Sequence, residues 1–168
     1  ITRTFPVNGR FSAEQKALYE VVLAAQLAAI DAVQVGHSWQ LPHDTAVRVL
    51  CEGLLELGLL KGELSKVIEA GDYRRFYMHR TGHWLGMDVH DVGDYRVDGE
   101  WRAYAPGMVL TVEPGLYIAP DDDTVEACWR GIGIRIEDDV VVTESGPHVL
   151  TAKAPKTIAE IEALVGSA

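Results

Sequence analysis

The residues best suited to chemistry sit in one stretch, His79-Arg-Thr-Gly-His-Trp-Leu-Gly-Met-Asp-Val-His-Asp-Val-Gly93. It holds three of the chain's six histidines, His79, His83 and His90, punctuated by Gly82, Gly86 and Gly93. Glycine admits positive φ and close backbone approach, so imidazoles on a glycine-broken segment point to a site rather than a packed element. His79 and His83 stand four apart and would share a helix face. The glycines, each costing a helix about 1 kcal/mol, argue against that conformation. Downstream lie Glu113, at the end of an alternating apolar run, and Arg135 with Glu137, two residues apart. An arginine on the same strand face as a glutamate holds the carboxylate anionic. Imidazole and carboxylates form a mixed nitrogen and oxygen ligand set suited to Mn²⁺, Fe²⁺, Co²⁺ or Zn²⁺. Two such ions about 3.5–4 Å apart can hold a hydroxide and polarise a carbonyl, while a glutamate touching them shuttles protons. On spacing alone, a structural role for each histidine, hydrogen-bonded in a packed loop, fits these residues equally well.

The elements that must position these groups can be read from the pattern. Ile1 to Val7 mixes β-branched and aromatic residues and reads as a short strand ended by Pro6 and an Asn8-Gly9 turn. Ser12 and Gln15 form a capping box for a helix to about Val35, with Leu18, Val21, Val22, Ala25, Ala29 and Ala32 on its apolar stripe. Residues 37–44 form a loop whose His37 and His43 read as structural. Asp44 is expected to cap a second helix to Leu57, facing Val47, Leu50, Leu54 and Leu57 inward, with Gly58 as its stop. A third helical piece covers Glu63 to Ala70. Then the period changes. Met108 to Val112 alternates as a strand, with Val109, Thr111 and Glu113 on one side, and Leu116 to Ala119 resumes after Pro114-Gly115. Asp121 to Asp123 lack the spaced ligands of a calcium loop and read as a solvated turn. Ile132 to Val142 is the clearest strand region, with Ile132, Ile134 and Ile136 on one face and Gly133, Arg135 and Glu137 on the other. Asp138-Asp139 marks a turn or edge before Val140 to Thr143 resumes. Thr157 and Glu160 box the start of a last helix through Val165.

Composition narrows the functions. The 168 residues suffice for one domain with a core, and 48% hydrophobic with 24% charged is ordinary globular usage. A net charge of −10 argues against a nucleic-acid surface and suits carboxylates gathered around a cation. Cys51 and Cys128 lack metal-type spacing and read as small buried hydrophobes. With no signal-type opening and no apolar run long enough for a bilayer, a reduced cytoplasmic protein is the expectation. The opening Ile1-Thr-Arg-Thr-Phe, without Met, reads like a chain that begins in mid-domain.

Three stretches taken together (residues 79–93, Pro106-Gly-Met-Val-Leu-Thr-Val-Glu-Pro-Gly-Leu-Tyr-Ile118, and Arg130-Gly-Ile-Gly-Ile-Arg-Ile-Glu-Asp138) resemble the pita-bread metallopeptidases, and most closely the Xaa-Pro aminopeptidases, or aminopeptidase P. The opening Ile-Thr-Arg-Thr-Phe-Pro-Val and the C-terminal Pro-Lys-Thr-Ile-Ala-Glu-Ile-Glu-Ala-Leu are also similar to that family. The resemblance implies an α+β pita-bread fold, with helices packed on a curved, mostly antiparallel sheet. Residues 1–168 would then form the C-terminal part of a single catalytic domain, whose upstream half and N-terminal domain are absent. It implies cleavage between an N-terminal residue and a following proline by a hydroxide bridging two divalent ions, most often Mn²⁺, with Co, Zn or Fe as alternatives. Matched one by one, His83 takes the place of a histidine ligand. Glu113 corresponds to a ligand that is also the acid/base, and Glu137 to the ligand bridging both ions. His90 corresponds to a residue holding the substrate and stabilising the tetrahedral intermediate, His79 to one lining the substrate pocket, and Arg135 to one ordering a carboxylate beside the metals. Two aspartate ligands of the family lie upstream, the second immediately before the segment that opens this chain. The isolated chain, supplying three of five ligands, is therefore expected to be inactive unless a complementary N-terminal piece carries those aspartates. The resemblance also implies a homo-oligomer when intact, and no membrane partner is expected. Prolidase, acting on Xaa-Pro dipeptides, shares this chemistry. A metal-free pita-bread binding protein is the reading from another class, and the creatinase type, which keeps the histidines without these acids, fits least.

Overall fold

The computed structural model describes residues 1–165, which form an α+β arrangement of helices and short antiparallel strands. Helix α1 spans Ala13–Asp31 and opens on the expected reciprocal box: the Gln15 amide donates to Ser12 Oγ at 3.2 Å and the Ser12 amide to Gln15 Oε1 at 2.9 Å. Its buried face, including Leu18, Tyr19, Val22, Ala25, Gln26 and Ala29, is wider than the stripe read from sequence. It ends before the expected Val35 because the chain turns to bond elsewhere, Gly36 taking φ +82° and donating to Tyr104 O at 2.9 Å. Helix α2, Leu41–Glu56, packs closely on α1, and Gly53 permits it: a Cβ there would fall 2.5 Å from the Val21 methyls. Asp44 does not cap α2. Pro42 already stands in the first turn, where its missing N–H costs nothing, and Asp44 lies within that turn accepting from Gln40 Nε2 at 2.6 Å. Helix α3 covers Leu64–Ala70, and α4 covers Ile158–Val165, where Glu160 N donates to Thr157 Oγ1 at 3.3 Å and Thr157 N to Glu160 Oε2 at 3.0 Å as the spacing predicts.

The strands are β1 Arg96–Val97, β2 Glu100–Trp101, β3 Val109–Val112, β4 Gly115–Tyr117, β5 Gly133–Arg135, β6 Asp138–Thr143 and β7 Gly146–Val149. Their pairings are antiparallel, in the orders β1–β2, β3–β6–β7 and β4–β5, so the described residues form three small sheets rather than one. Three further expectations need correction. Ile1 to Val7 is not a strand. It makes a single bridge, Thr2 to Glu137, and is otherwise held by side chains, since Pro6 cannot donate to a ladder. Asp138-Asp139 is not a turn: the two residues begin β6 opposite Val112 and Thr111, and Asp138 is fully buried. The break in the region falls instead between β5 and β6. Cys51 is buried as expected, but Cys128 is exposed on the 3-10 turn Ala127–Trp129. Residues 96–101 and 146–149, unassigned from the pattern, form β1, β2 and β7. The first pair closes through Asp98-Gly99, both at positive φ, as a tight hairpin demands.

Candidate metal centre

The histidine-bearing stretch reaches its place by lying along β3. Glu113 N donates to Thr81 O at 2.7 Å, Thr111 N to His83 O at 3.0 Å, and Leu85 N to Val109 O at 3.1 Å. This contact needs glycine at 82, because a Cβ there would sit 2.0 Å from the Thr111 carbonyl oxygen. His83 is thereby set beside the β3 face carrying Thr111 and Glu113. Glu137 arrives from the short break between β5 and β6 and is fixed by the chain's opening residues. Its amide donates to Thr2 O at 3.0 Å, the Thr2 hydroxyl donates to its Oε2, and the Ile1 nitrogen lies 3.9 Å from the same oxygen.

His83, Glu113 and Glu137 converge, each offering a ligand atom within 4.8 Å of the others. His83 Nε2 stands 3.2 Å from Glu113 Oε1, and Arg135 Nη1 stands 3.6 Å from Glu113 Oε2. The tautomer makes this arrangement informative. His83 Nδ1 lies 2.9 Å from the Trp84 carbonyl, which can only accept, so Nδ1 carries the proton. In the neutral ring, Nε2 then presents a lone pair to a carboxylate oxygen. Two acceptors at that separation need a positive charge between them, either a proton or a cation. A carbonyl-oriented imidazole with its free nitrogen turned on carboxylates is how protein sites hold divalent ions, so the residues present fit a metal. All three side chains are mostly, but not fully, shielded from solvent.

Beside the cluster opens a cleft of about 830 Å³ lined by His79, Arg80, His83, Trp101, Glu113 and Arg135. Along its wall runs a chain of fixed direction. Arg135 Nε donates to Tyr117 Oη at 2.8 Å, Tyr117 donates to His79 Nε2 at 2.8 Å, and His79 Nδ1 donates to the Arg80 carbonyl at 2.8 Å. Tyr117 was not singled out in the sequence, where its type carries no signal; only the pairing of β4 with β5 brings it to Arg135. Thr2 and Thr111 were likewise unassigned to the site. His90 lies on an exposed loop with its ring centroid 4.3 Å from that of His83 and edge-on to it. His37 and His43 stand outside the cluster, as expected. His43 Nδ1 pairs with Thr81 Oγ1 at 2.8 Å. Burial first, then the charges of Arg80, His79 and Arg74, push its pKa down to about 4, so it is neutral at ordinary pH.

One imidazole and two carboxylates, with His83 and Glu113 lining an open cleft on an α+β frame, define a candidate hydrolytic metal site. The chain belongs to metallopeptidase family M24, which it matches over residues 1–144. It is 52% identical to a Xaa-Pro aminopeptidase of Haemophilus influenzae over 98% of its own length and 38% of that protein's. Among solved structures it superposes on aminopeptidase PepP of Pseudomonas aeruginosa with a TM-score of 0.98 and 62% identity, covering 99% of this chain and 38% of the other. It also superposes on Escherichia coli aminopeptidase P with the inhibitor Pro-Leu, at a TM-score of 0.94 and 50% identity, covering 99% and 38%. The fold is thus the expected α+β pita-bread architecture, and the chain spans little more than a third of these relatives' length.

Proposed function

We propose that this chain is the C-terminal part of the catalytic domain of a Xaa-Pro aminopeptidase, and that it supplies three of the metal ligands. The observation carrying this reading is the convergence of His83 Nε2 with the Glu113 and Glu137 carboxylates. Divalent ions there, Mn²⁺ in our reading, would supply a Lewis acid for the scissile carbonyl and lower the pKa of a nucleophilic water. Glu113, touching both His83 and Arg135, is placed to take and return the proton as the peptide bond is cleaved. Arg135 holds the second oxygen of that carboxylate. His79, its Nδ1–H engaged with a carbonyl and its Nε2 with Tyr117, lines the cleft in a fixed tautomer and there orients the peptide. His90 is assigned to the substrate and to the developing oxyanion; its place beside the His83 ring supports this.

The remaining ligands, two aspartates, would come from sequence upstream of Ile1. Thr2 and the Ile1 nitrogen lie against Glu137, so whatever precedes Ile1 enters beside the cluster. The cytoplasm is the proposed compartment, a reading supported by two free thiols; no described helix is long and apolar enough to cross a membrane. A homo-oligomer is proposed on resemblance alone. The test compares this chain with one extended upstream to its relatives' length, each assayed with Mn²⁺ on an Xaa-Pro tripeptide and an Xaa-Pro dipeptide. The extended chain should cleave the tripeptide and lose that activity in Glu113→Gln, while this chain alone should be inactive. Preference for the dipeptide would move the reading to prolidase. An extended chain that binds Mn²⁺ but cleaves neither would remove the peptidase assignment.

A further inference from the structure

We propose that Thr111 is the positioning residue that sets His83 and Glu113 in register, a role that rests on the functional reading above. Thr111 is 2% exposed, and its hydroxyl lies between the two groups. The His83 backbone N–H donates to Thr111 Oγ1 at 3.1 Å, and Thr111 Oγ1 stands 3.0 Å from Glu113 Oε1. A hydroxyl has one proton to give. The His83 amide can only donate, and so can only use a lone pair. The carboxylate can only accept, and so takes the proton. The direction of both bonds is therefore fixed by chemistry. One oxygen atom reads the backbone of one ligand and the side chain of the other.

The geometry around it leaves little freedom. Thr111 and Glu113 are two apart on β3 and share a face. The β-branched side chain of threonine is stiff at χ1, and the Thr111 amide returns a bond to His83 O at 3.0 Å. Glu113 Oε2 has the Arg135 guanidinium at 3.6 Å, a long and partly exposed contact. Arg135 alone would let the carboxylate swing. The shorter, buried hydroxyl contact holds Oε1 facing His83 Nε2. The Thr111 hydroxyl goes to the carboxylate proposed as ligand and proton carrier.

The experiment uses the full-length protein. Thr111→Val keeps the shape and removes the hydroxyl, and Thr111→Ser keeps the hydroxyl. Groups that orient a metal ligand are worth about 10–100-fold in metal affinity or activity. Thr111→Val should therefore lower kcat and the calorimetric affinity of the metal-stripped protein for Mn²⁺ by about that factor, with KM moving less than about threefold. Thr111→Ser should recover most of both. If Thr111→Val fails to fold, Thr111→Ala, which adds no bulk, carries the same comparison. Wild-type kcat and Mn²⁺ affinity in the hydroxyl-free variant, or a Thr111→Ser as impaired as Thr111→Val, would overturn the assignment. Wild-type protein that neither binds Mn²⁺ nor cleaves would instead remove the functional reading, so the two failures are distinguishable.

Discussion

Glu137 and Asp138 are consecutive acids that point to opposite faces of the chain, and the two faces treat a carboxylate in opposite ways. Asp138 is fully buried and accepts from four side chains: Arg3 Nη2 at 2.7 Å, Thr151 Oγ1 at 2.7 Å, Gln26 Nε2 at 2.8 Å and Lys156 Nζ at 2.8 Å. Burial by itself would raise its pKa; the bonds from Lys156, Arg3, Thr151 and Gln26 outweigh burial and hold it at about 2. Glu137 has one hydroxyl donor, from Thr2, with the Ile1 nitrogen 3.9 Å away, and its carboxylate otherwise faces His83 and Glu113. A carboxylate ringed by donors is finished as structure. One with few donors, turned toward an imidazole and a second carboxylate, is arranged to take a cation in the proposed reading. What separates Asp138 from the proposed ligand Glu137 is therefore the donor count around each, not residue type or position in the chain.

That contrast can be broken or sharpened by measurement. The largest effect is expected at Asp138. Asp138→Ala strands Arg3 and Lys156 beside a buried vacancy and should cost about 3–5 kcal/mol in denaturant unfolding; a loss under about 1 kcal/mol would show that the knot is not what it looks like. The pH dependence has the same sign. The folded pKa lies below the unfolded value of about 3.8, so this stabilisation is complete above about pH 4 and is lost as pH falls toward 2. A second acid effect, of comparable size and at higher pH, belongs to His43, whose pKa burial and nearby cations push down to about 4. The unfolded chain takes up a proton that the folded one refuses, so stability should decline as pH drops from about 6.5 to 4, with a slope of at most about 1.4 kcal/mol per pH unit. In His43→Gln that slope should flatten across the same window. The smallest stability change is expected at the proposed ligand: Glu137→Gln should shift metal-free stability by less than about 1 kcal/mol, while Mn²⁺ affinity of the full-length protein should fall at least 10-fold. A Glu137→Gln as destabilised as Asp138→Ala would erase the distinction between the two acids.

Much of the site was legible in the sequence because it obeys local rules. Strand alternation placed Thr111 and Glu113 on one face and Arg135 and Glu137 on another, and glycine at 82 announced a close backbone approach. The residues that escaped notice are those whose role depends on partners far along the chain. Asp138 followed by Asp139 looks like a polar turn until Arg3, Gln26 and Lys156 are seen to surround it. Tyr117 becomes part of the site only through the register that sets Gly115 opposite Arg135. The opening segment is not a strand for a related reason: the Thr4 hydroxyl occupies both the amide and the carbonyl of Arg135, the backbone groups a paired strand would use. The start of α2 was misplaced because Pro42 in the first turn outranked Asp44 as a helix signal.

The Arg3 guanidinium ties the opening segment, the backbone of Glu137 and the tail before α4 together at one point. It donates to Pro155 O at 2.8 Å, Ala154 O at 3.1 Å and Glu137 O at 2.6 Å, besides its bond to Asp138. The tail before α4 thus grips the backbone of a proposed metal ligand from behind. A protease nick in the Thr151–Lys156 bend would leave every proposed ligand in the polypeptide and yet unfasten the brace behind one of them, so damage at the far end of the chain would surface as a leak of metal from the centre.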